Sequence, residues 1–402
     1  MVNRFQKSFS FHPSQCLWGL CIALLISFVG RTPITPHQRP PESALVCTSH
    51  GDSQELRSSW DLFQPAWKAE PLPHYHLKDL MSDPQNRIEP VMKIPKAISK
   101  RVLFWSAVYS VYSIQSKLVH DRFDPSVIYG YIDLGRAADQ WSLSQSKLHR
   151  IEKQTIDGIR QRIGEAYGLF PVSITQLRER MEIRQFFAQH GKSDAQIPEM
   201  LDSIRTQSGQ KENFLAALRR SQDLLPRMES IFEAGGLPKG LTRIPFVESS
   251  FHPRAHSKVG AVGIWQFMPP TARQYIHATN RRLWTDPIRQ THAAARLLRD
   301  YNRMVGDWGL AITSYHSGVG RVRRLARTHG VDQAPQLIHA PGIRENLGFA
   351  GRNFFSEVLA ANFVHSYKTE LFAEVIKRTL ASHHAPLSCT AKDQRPWQTP
   401  ES

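Results

Sequence analysis

One carboxylate stands alone in a stretch of the chain that is otherwise basic, polar or apolar. Residues 245–273 contain a single acidic residue, Glu248, and the next one along the chain is Asp286. Its neighbours in sequence are bulky and apolar: Ile244, Phe246, Val247 and Phe251. A carboxyl packed among such side chains tends to have a raised pKa, because desolvation disfavours the anion. Near neutral pH such an acid can protonate a leaving oxygen, as in glycoside cleavage.

Glycoside cleavage usually needs a second carboxylate as nucleophile or base, and none is near this glutamate in sequence. The residues that follow suit a polymer-binding surface. Gly260-Ala-Val-Gly263 has little side-chain bulk, so an extended polymer can lie close to its backbone. Gln266 can donate and accept hydrogen bonds to sugar amides and hydroxyls. Trp265, Phe267 and Met268 offer either an apolar surface for sugar rings or core packing, and the sequence leaves both open.

The same stretch contains a spacing that is found in metal sites. Glu248, His252 and His256 are spaced i, i+4, i+8, which would align three ligands on one continuous helix. Pro253 lies between the two histidines and would break that helix. The sequence therefore predicts no metal site and no cofactor.

Several short motifs occur in a fixed order: Glu248-Ser249, Ser257, Gly260-Ala-Val-Gly-Ile-Trp-Gln266, Met268-Pro269 and Ser314-Tyr-His-Ser-Gly318. Together they resemble the goose-type-lysozyme-like lytic murein transglycosylases, and most closely the SLT domain of the membrane-bound D type. The resemblance spans roughly residues 225–330. It implies a mainly α fold, with a lysozyme-like (SLT) catalytic domain preceded by a helical N-terminal region.

The resemblance also implies a reaction. Enzymes of this family cleave the β-1,4 bond between N-acetylmuramic acid and N-acetylglucosamine in peptidoglycan. One glutamate acts first as acid and then as base, and the C6 hydroxyl of the muramic acid is the nucleophile. The product ends in a 1,6-anhydro ring, and no second protein carboxylate is required.

Individual residues acquire roles from the same resemblance. Glu248 matches the catalytic acid/base, and Ser257 matches a serine that contacts the substrate N-acetyl group. Gln266 and Met268 match a glutamine and a methionine that line the cleft. Tyr315 matches the tyrosine that hydrogen-bonds the catalytic carboxyl. Ser249 matches the serine of the Glu-Ser pair, as structural support.

Two departures from the family pattern are expected to alter substrate preference or activity. His316 stands where the family has asparagine, although imidazole can still donate and accept hydrogen bonds at this substrate-binding position. Ala350-Gly-Arg-Asn-Phe-Phe355 stands where relatives have Glu-Thr-x-x-Tyr-Val, so that glutamate and tyrosine are missing.

Two other functions stay open at this point. A muramidase- or chitinase-like hydrolase on the same fold would need a positioned water and usually a second carboxylate. A catalytically silent peptidoglycan-binding protein would keep the cleft without turnover. The products distinguish the three functions. A transglycosylase leaves anhydro ends, a hydrolase leaves reducing ends, and a silent binding protein releases nothing.

Helical signals dominate the elements around these motifs. One helical stripe at 3.6-residue spacing contains Leu148, Ile151, Ile159 and Ile163. Leu177 and Met181 are expected to continue this apolar pattern in the next helix. Val127–Ile132 is a candidate strand. Asp286-Pro287 is typical of a helix start, and Gly306 of a helix end.

The chain divides into five predicted segments. These are a signal peptide or membrane anchor at 1–30, a Pro-rich linker at 31–95, a helical N-terminal region at 96–220, the lysozyme-like domain at 221–366 and a tail at 367–402.

Composition and charge narrow the class of protein. The 402 residues are 41% hydrophobic, as in globular proteins, and the net charge of +16 favours anionic partners: nucleic acid, membrane surfaces or peptidoglycan. Arg321, Arg323, Arg324 and Arg327 form a basic helical face that either meets the carboxylates of peptidoglycan stem peptides or is simply solvated.

The N-terminus selects among these partners. Arg4 and Lys7 precede an apolar run over residues 16–30, the layout of an export signal or uncleaved anchor. Export predicts that the protein lies in the periplasm or cell envelope and that its partners are peptidoglycan glycan strands rather than nucleic acid. An uncleaved N-terminal apolar segment would also associate it with the membrane. Cys47 and Cys389 are expected either to pair in that compartment or to remain free thiols.

Overall fold

The computed structural model describes residues 59–68, 72–135, 144–276 and 280–373, which are mostly helical. Its strands are β1 (Phe63–Pro65), β2 (Ser116–Asp121), β3 (Ile128–Asp133) and β4 (Ile204–Ser208). Its helices are α1 (Leu77–Met81), α2 (Ser99–Ser110), α3 (Gln145–Ala166), α4 (Leu177–Gln189), α5 (Ile197–Asp202), α6 (Lys211–Ser221), α7 (Leu225–Ala234), α8 (Ile244–Ser249), α9 (Pro269–Tyr275), α10 (Pro287–Val305), α11 (Trp308–Ser317), α12 (Val319–His329), α13 (Ala334–His339), α14 (Ile343–Ser366) and α15 (Lys368–Leu371). The mainly α fold class predicted from the sequence is confirmed.

An antiparallel sheet of order β1-β3-β2-β4 has three strands within the region predicted to be helical, and β1 comes from the segment before it. The candidate strand at 127–132 corresponds to β3, which pairs Tyr131 with Leu118 of β2. The region over 96–220 thus combines the predicted helices with three strands, of which the sequence predicted β3. Most residues of β2 and β3 are buried on both faces, so these strands lack the apolar–polar alternation by which a half-exposed strand is recognised.

Helix α3 covers one side of the sheet with the predicted stripe. Ile151, Ile159 and Ile163 are buried, and they share a core with Val119, Tyr129 and Ile132 of the sheet. The expected continuation of this stripe into α4 is wrong at both positions. Leu177 and Met181 are 67% and 63% exposed, because α4 instead buries the face with Ile183, Phe186 and Phe187.

The segment predicted to be a linker is folded wherever the structure describes it between 59 and 95. Phe63, Trp67, Leu77 and Met92 are buried in the two cores. Its prolines bound short turns rather than an extended spacer. The first residues of the predicted tail are folded as well, because Tyr367 and Phe372 are buried and the Tyr367 hydroxyl donates to Asp83 Oδ1 at 2.7 Å.

Capping residues define where helices α10 and α11 of the C-terminal half begin and where α10 ends. The carboxylate of Asp286 accepts the Arg289 N–H at 2.7 Å, and α10 ends at Gly306 in the left-handed region, both as predicted. Asp307 caps α11 in the same way through the Leu310 N–H at 2.8 Å. These caps fix where α11 begins, and α11 contributes two site residues.

Helix α14 is the element that joins the two halves of the molecule. It is interrupted at Gly348, where the backbone leaves the helical region, and from Gly351 to Val364 every residue is buried. It packs against α2, α8 and α11. Side chains from the N-terminal region thereby reach the domain that contains Glu248.

The predictions for residues 1–30, Cys47 and Cys389 lie outside the described residues. Within 59–68, 72–135, 144–276 and 280–373, no helix combines the length and the apolar content that crossing a membrane requires.

Candidate active site

Glu248 lies in the last turn of the short helix α8. The helix ends abruptly because Ser250 and Phe251 both adopt left-handed backbone angles, with φ of 49° and 57°. Backbone hydrogen bonds hold this turn, from Phe251 N–H to Pro245 O at 3.1 Å and from His252 N–H to Ser249 O at 3.0 Å. Non-glycine residues in this region are strained, a feature that concentrates at functional sites.

Because helix α8 ends at this turn, it does not continue to the two histidines of the spacing considered for a metal site. His252 comes after the end of α8, so Glu248, His252 and His256 do not share a helical face. In the part of the chain that the structure describes, no group of three or more His, Cys, Asp or Glu side chains is placed to hold a metal ion.

Burial gives Glu248 the proton affinity expected from its neighbours. The side chain is half-buried, with Phe246 and Phe251 buried beside it in sequence. Desolvation raises its pKa to about 8. The carboxyl is therefore mostly protonated at neutral pH and available as a general acid.

Ser249 anchors α8 to the loop that follows it. Its hydroxyl, buried with the residue 1% exposed, donates to the Ile264 carbonyl at 2.8 Å. The structural role expected for Ser249 agrees with this contact, since the bond fixes the helix end that presents Glu248.

Ser257 lies at a tight turn of the loop over residues 255–267. Its hydroxyl accepts the Ala261 N–H at 2.9 Å, and its own N–H donates to the Ala261 carbonyl at 2.9 Å. In these bonds the Ser257 hydroxyl acts only as an acceptor, and its contact with the substrate N-acetyl group stays a prediction.

Gly263 and the buried Gln290 lock the other end of this loop. Gly263 has φ of +72°, and a Cβ added there would lie 2.3 Å from Gln290 Nε2. That amide nitrogen donates to the carbonyls of Val262 and Trp284, and Gln290 Oε1 accepts the Trp265 N–H at 3.2 Å. Sequence reasoning missed Gln290, because an amide inside a helix carries no signal of a partner far from it in sequence.

The side-chain amide of Gln266 makes hydrogen bonds within its own loop. It adopts a left-handed conformation, with φ of 48°, and its Nε2 donates to the Gly263 carbonyl at 2.8 Å and the Ala255 carbonyl at 3.3 Å. Both Nε2 protons are therefore used within the loop, and the contact of Gln266 with sugar stays a prediction. Met268 is half-buried and immediately precedes α9.

The aromatic residues of the motif belong to the core. Trp265 is fully buried, stacks on Phe232 at a ring distance of 5.8 Å and donates from Nε1 to Thr291 Oγ1 at 3.1 Å. Phe267 is 2% exposed. Of the two possibilities left open by the sequence, core packing is the one found for both.

Tyr315 has a different hydrogen-bond acceptor from the one the family pattern implied. Its hydroxyl donates to the Trp265 main-chain oxygen at 2.6 Å and not to the Glu248 carboxyl. Burial, followed by the charge of Glu248, raises the pKa of Tyr315 well above its usual value. The two side chains are therefore close enough to interact, while the tyrosine proton is held by the backbone.

His316 and the altered segment 350–355 pack on each other. The imidazole stacks on Phe354 at 5.0 Å, and Phe354 also stacks parallel to Tyr315 at 6.3 Å. Phe354 stands at the position of the missing family tyrosine. Burial lowers the pKa of His316 to about 4, so the ring is neutral at physiological pH.

The fold brings in a second carboxyl that sequence spacing did not reveal. Glu357 lies on α14 and is 1% exposed, and its pKa is raised to about 8, first by burial and then by the charge of Glu248. A single acid inside the apolar run Val358-Leu-Ala-Ala361 and Phe354-Phe355 was the available signal.

Comparison with known proteins identifies the domain around this site. Residues 232–336 match the family described as "Transglycosylase SLT domain". Membrane-bound lytic murein transglycosylase D of Escherichia coli (strain K12) is 38% identical over 96 residues, 23% of this chain and 21% of that protein. The transglycosylase of Enterobacteria phage PRD1 is 35% identical over 91 residues, 23% of this chain and 33% of that protein.

A further relative is the putative tributyltin chloride resistance protein of Alteromonas sp. (strain M-1), 32% identical over 110 residues, 26% of this chain and 52% of that protein. The chain thus matches about a fifth of the length of the D enzyme and about half of the Alteromonas protein. The resemblance inferred from the motifs is confirmed: this chain contains a lysozyme-like domain of the transglycosylase SLT family, similar to that of lytic murein transglycosylase D.

Proposed function

We propose that the protein is a peptidoglycan lytic transglycosylase that cleaves the β-1,4 bond between N-acetylmuramic acid and N-acetylglucosamine. The observation that supports this most is Glu248, a carboxyl with its pKa raised to about 8 in a domain of the transglycosylase SLT family. The murein transglycosylase named among its relatives supports the substrate class.

The reaction proceeds in two proton transfers. Protonated Glu248 gives its proton to the glycosidic oxygen as the bond from that oxygen to C1 of muramic acid breaks. The resulting carboxylate then takes the proton of the C6 hydroxyl as O6 bonds to C1. One bond is exchanged for another, no water is consumed, and Glu248 ends protonated.

The surrounding residues support this cycle. The Tyr315 hydroxyl donates to the Trp265 carbonyl, so its oxygen lone pairs can accept a hydrogen bond from protonated Glu248. Ser257 offers its hydroxyl proton to the substrate N-acetyl oxygen. Gln266 Oε1, Met268 and neutral His316 complete the cleft, with Oε1 accepting from sugar hydroxyls.

The second carboxyl does not favour a hydrolase. A base that activates water must reach the open cleft, within hydrogen-bond distance of the attacking oxygen. Glu357 is 1% exposed and lies within the packed face of α14. The proposed nucleophile is therefore the substrate hydroxyl rather than water.

We place the protein in the cell envelope, where peptidoglycan is found. The relative named a membrane-bound murein transglycosylase supports this location. Peptidoglycan glycan strands are accordingly the proposed partner.

Mass spectrometry of muropeptides released from purified sacculi tests the reaction. Anhydro ends lack the elements of water and resist borohydride reduction, and we expect them as the product. Reducing ends would replace the proposal by a hydrolase. Binding to sacculi with no release would indicate a silent binding protein.

Glu248→Gln tests the assignment of the acid. The amide is isosteric with the protonated acid but gives up no proton, so turnover should fall by at least about 10²–10⁴-fold. Circular dichroism should be unchanged, and Glu233→Gln, an exposed glutamate of α7, serves as the matched control. Substantial residual cleavage would remove Glu248 from the mechanism.

A further inference from the structure

A cavity of about 310 Å³ lies between helices α9 and α10, apart from the residues around Glu248. We call it the arginine pocket. Its volume is at the lower end of the range of about 300–1,000 Å³ that ligand sites have. Three of its arginines are spaced i, i+3 and i+7 along α10, which places them on one face of that helix. The pocket is lined by Gln274, Tyr275, Arg296, Arg299, Asp300 and Arg303.

The hydrogen bonds within the arginine pocket use few of its guanidinium protons. Arg296 donates to the Tyr275 carbonyl, and Arg299 donates at 2.8 Å to the main-chain carbonyl that follows α7. Arg303 lies 4.0 Å from the Asp300 carboxylate, and its side chain is 73% exposed. Because each guanidinium has five N–H donors, most of these donors have no acceptor among the described residues. They are available to a ligand that enters the pocket.

One carboxylate faces three guanidiniums across this cavity. The Tyr275 hydroxyl donates to Asp300 Oδ2 at 3.1 Å, and Arg303 lies 4.0 Å from Asp300 Oδ1, so both oxygens of that carboxylate have a partner. The described lining therefore carries two uncompensated positive charges. The planar fork of a guanidinium binds a carboxylate through two parallel hydrogen bonds. A ligand with carboxylates complements the pocket in both charge and geometry.

The arginine pocket is within reach of the loop over residues 255–267, on which sugar-contacting residues are predicted. Helix α9 begins directly after Met268, and its seven residues rise about 10 Å to Tyr275. Helix α10 contacts the same loop through Gln290 and rises about 9 Å from there to Arg296. An extended peptide advances about 3.3–3.6 Å per residue, so about three residues span this distance. A short peptide carried by a sugar in the cleft can therefore place a carboxylate in the pocket.

We propose that the arginine pocket is a subsite for the peptide part of the substrate, in which the guanidiniums of Arg296, Arg299 and Arg303 bind carboxylates of the stem peptide attached to a muramic acid in the cleft. A free anion would match the charge of the pocket but would gain nothing from its position beside the cleft loop. The proposal rests on the proposed function, because it takes peptidoglycan as the substrate. It makes peptide-bearing strands the preferred substrate over strands without peptides.

Isothermal titration calorimetry with stem peptides released from sacculi by an amidase tests the binding directly. We expect binding that weakens as salt rises and that is lost when the peptide carboxyls are converted to amides. Arg296→Gln and Arg303→Gln should each raise Kd by about 2- to 5-fold, the range of exposed ion pairs. Equal binding of the amidated peptide, or of inorganic phosphate, would overturn the proposal, as would no binding at all.

Arg273→Gln is the matched control for both variants. Arg273 is an exposed arginine in the last turn of α9 that is outside the lining of the pocket, so its loss removes the same charge at the same helix. Its Kd should stay closer to the wild-type value than those of the two pocket variants. If Arg296→Gln folds poorly, Arg303→Gln keeps the test, because its side chain is largely exposed. An affinity of Arg303→Gln equal to that of Arg273→Gln would contradict the proposal.

Cleavage of strands with and without stem peptides separates this subsite from the proposed reaction. The wild type should show a higher kcat/KM on intact strands than on strands stripped by an amidase. The double variant Arg296→Gln/Arg303→Gln should lose this preference by about 4- to 25-fold. Arginine-dependent peptide binding without anhydro products would refute the reaction and keep the subsite. Anhydro products with the same preference in wild type and double variant would refute the subsite alone.

Discussion

At the scale of single residues, the site combines the proton donor Glu248 with side chains that donate their own protons to main-chain carbonyls. The Tyr315 hydroxyl donates to the Trp265 carbonyl, and Gln266 Nε2 donates to two carbonyls of its loop. Both side chains therefore have acceptor lone pairs that these bonds do not use. This polarity suits a protonated Glu248 and the hydroxyl-rich surface of a glycan.

Tyr315→Phe tests whether the tyrosine oxygen holds the acid. The Tyr315 oxygen accepts from the neutral, protonated acid, and a hydrogen bond between neutral groups contributes about 0.5–1.5 kcal/mol, so kcat should fall by about 2- to 10-fold while KM changes little. Steady-state release of muropeptides measures both constants. Tyr131→Phe in β3 is the control, and equal kcat values for the two variants would show that the Tyr315 hydroxyl serves packing alone.

His316→Asn restores the residue type of the family. Loss of the stack on Phe354 should lower stability by about 0.5–1.5 kcal/mol at neutral pH. The pKa of His316, about 4, lies below its usual 6.5, so protonation weakens the folded wild type as pH falls through that window. The difference in melting temperature should therefore shrink from pH 6.5 to 4, relative to exposed His256→Asn. A constant difference would contradict the burial of a neutral ring.

At the scale of elements, the loop over residues 255–267 is held more tightly than its glycine content suggests. Gln290 of α10 fills the space beside Gly263 and bonds three backbone groups of this region and of the turn before α10. Ser249 ties the same loop to α8. The distance between the acid and the sugar-contacting residues is thus set by side chains that touch no substrate.

Gly263→Ala and Gly306→Ala separate backbone strain from a clash. Both positions have positive φ, +72° and +77°, but an added Cβ meets Gln290 at 2.3 Å in the first and nothing within 4 Å in the second. Each variant should lose about 1 kcal/mol or more from strain, and Gly263→Ala a further 1–3 kcal/mol from overpacking. Urea unfolding and cleavage rates measure the effects. Equal losses would exclude Gln290 as the constraint.

At the scale of the whole molecule, buried ionisable groups give stability a maximum in pH. Burial lowers the pKa of His74, His120 and His316 to about 4, 3 and 4, so protonation on acidification destabilises the fold below the usual 6.5. Glu248 and Glu357 have pKa values raised from 4.5 to about 8, so stability is lost as pH rises through that window.

The histidine window closes at about pH 6.5, and above it only the two carboxyls still change stability, so the melting temperature should peak near pH 6.5. Glu357→Gln should flatten the decline above pH 6.5 and leave the profile unchanged only below pH 4.5, where this carboxyl is protonated in both folded and unfolded protein. A wild-type melting temperature that still increases up to pH 8 would contradict the burial of neutral carboxyls.

The sequence by itself determined what depends on neighbours along the chain. The apolar residues around Glu248 predicted its raised pKa, Asp286 and Gly306 predicted the limits of α10, and the ordered motifs predicted the SLT family. Each of these signals is local, because capping, helix periodicity and the desolvation of a side chain by its own segment act over a few residues.

The tertiary structure alone decided what depends on distance in space. The charge of Glu248 raises the pKa of Glu357 because α14 packs on α8, and Tyr315 donates to Trp265 because α11 meets the loop over residues 255–267. The segment predicted to be a linker is buried because its aromatic residues pack into a core. Electrostatic coupling and hydrogen-bond choice follow interatomic distance, which sequence separation does not specify. The lone glutamate of the sequence therefore became one of two carboxyls only when the chain had folded.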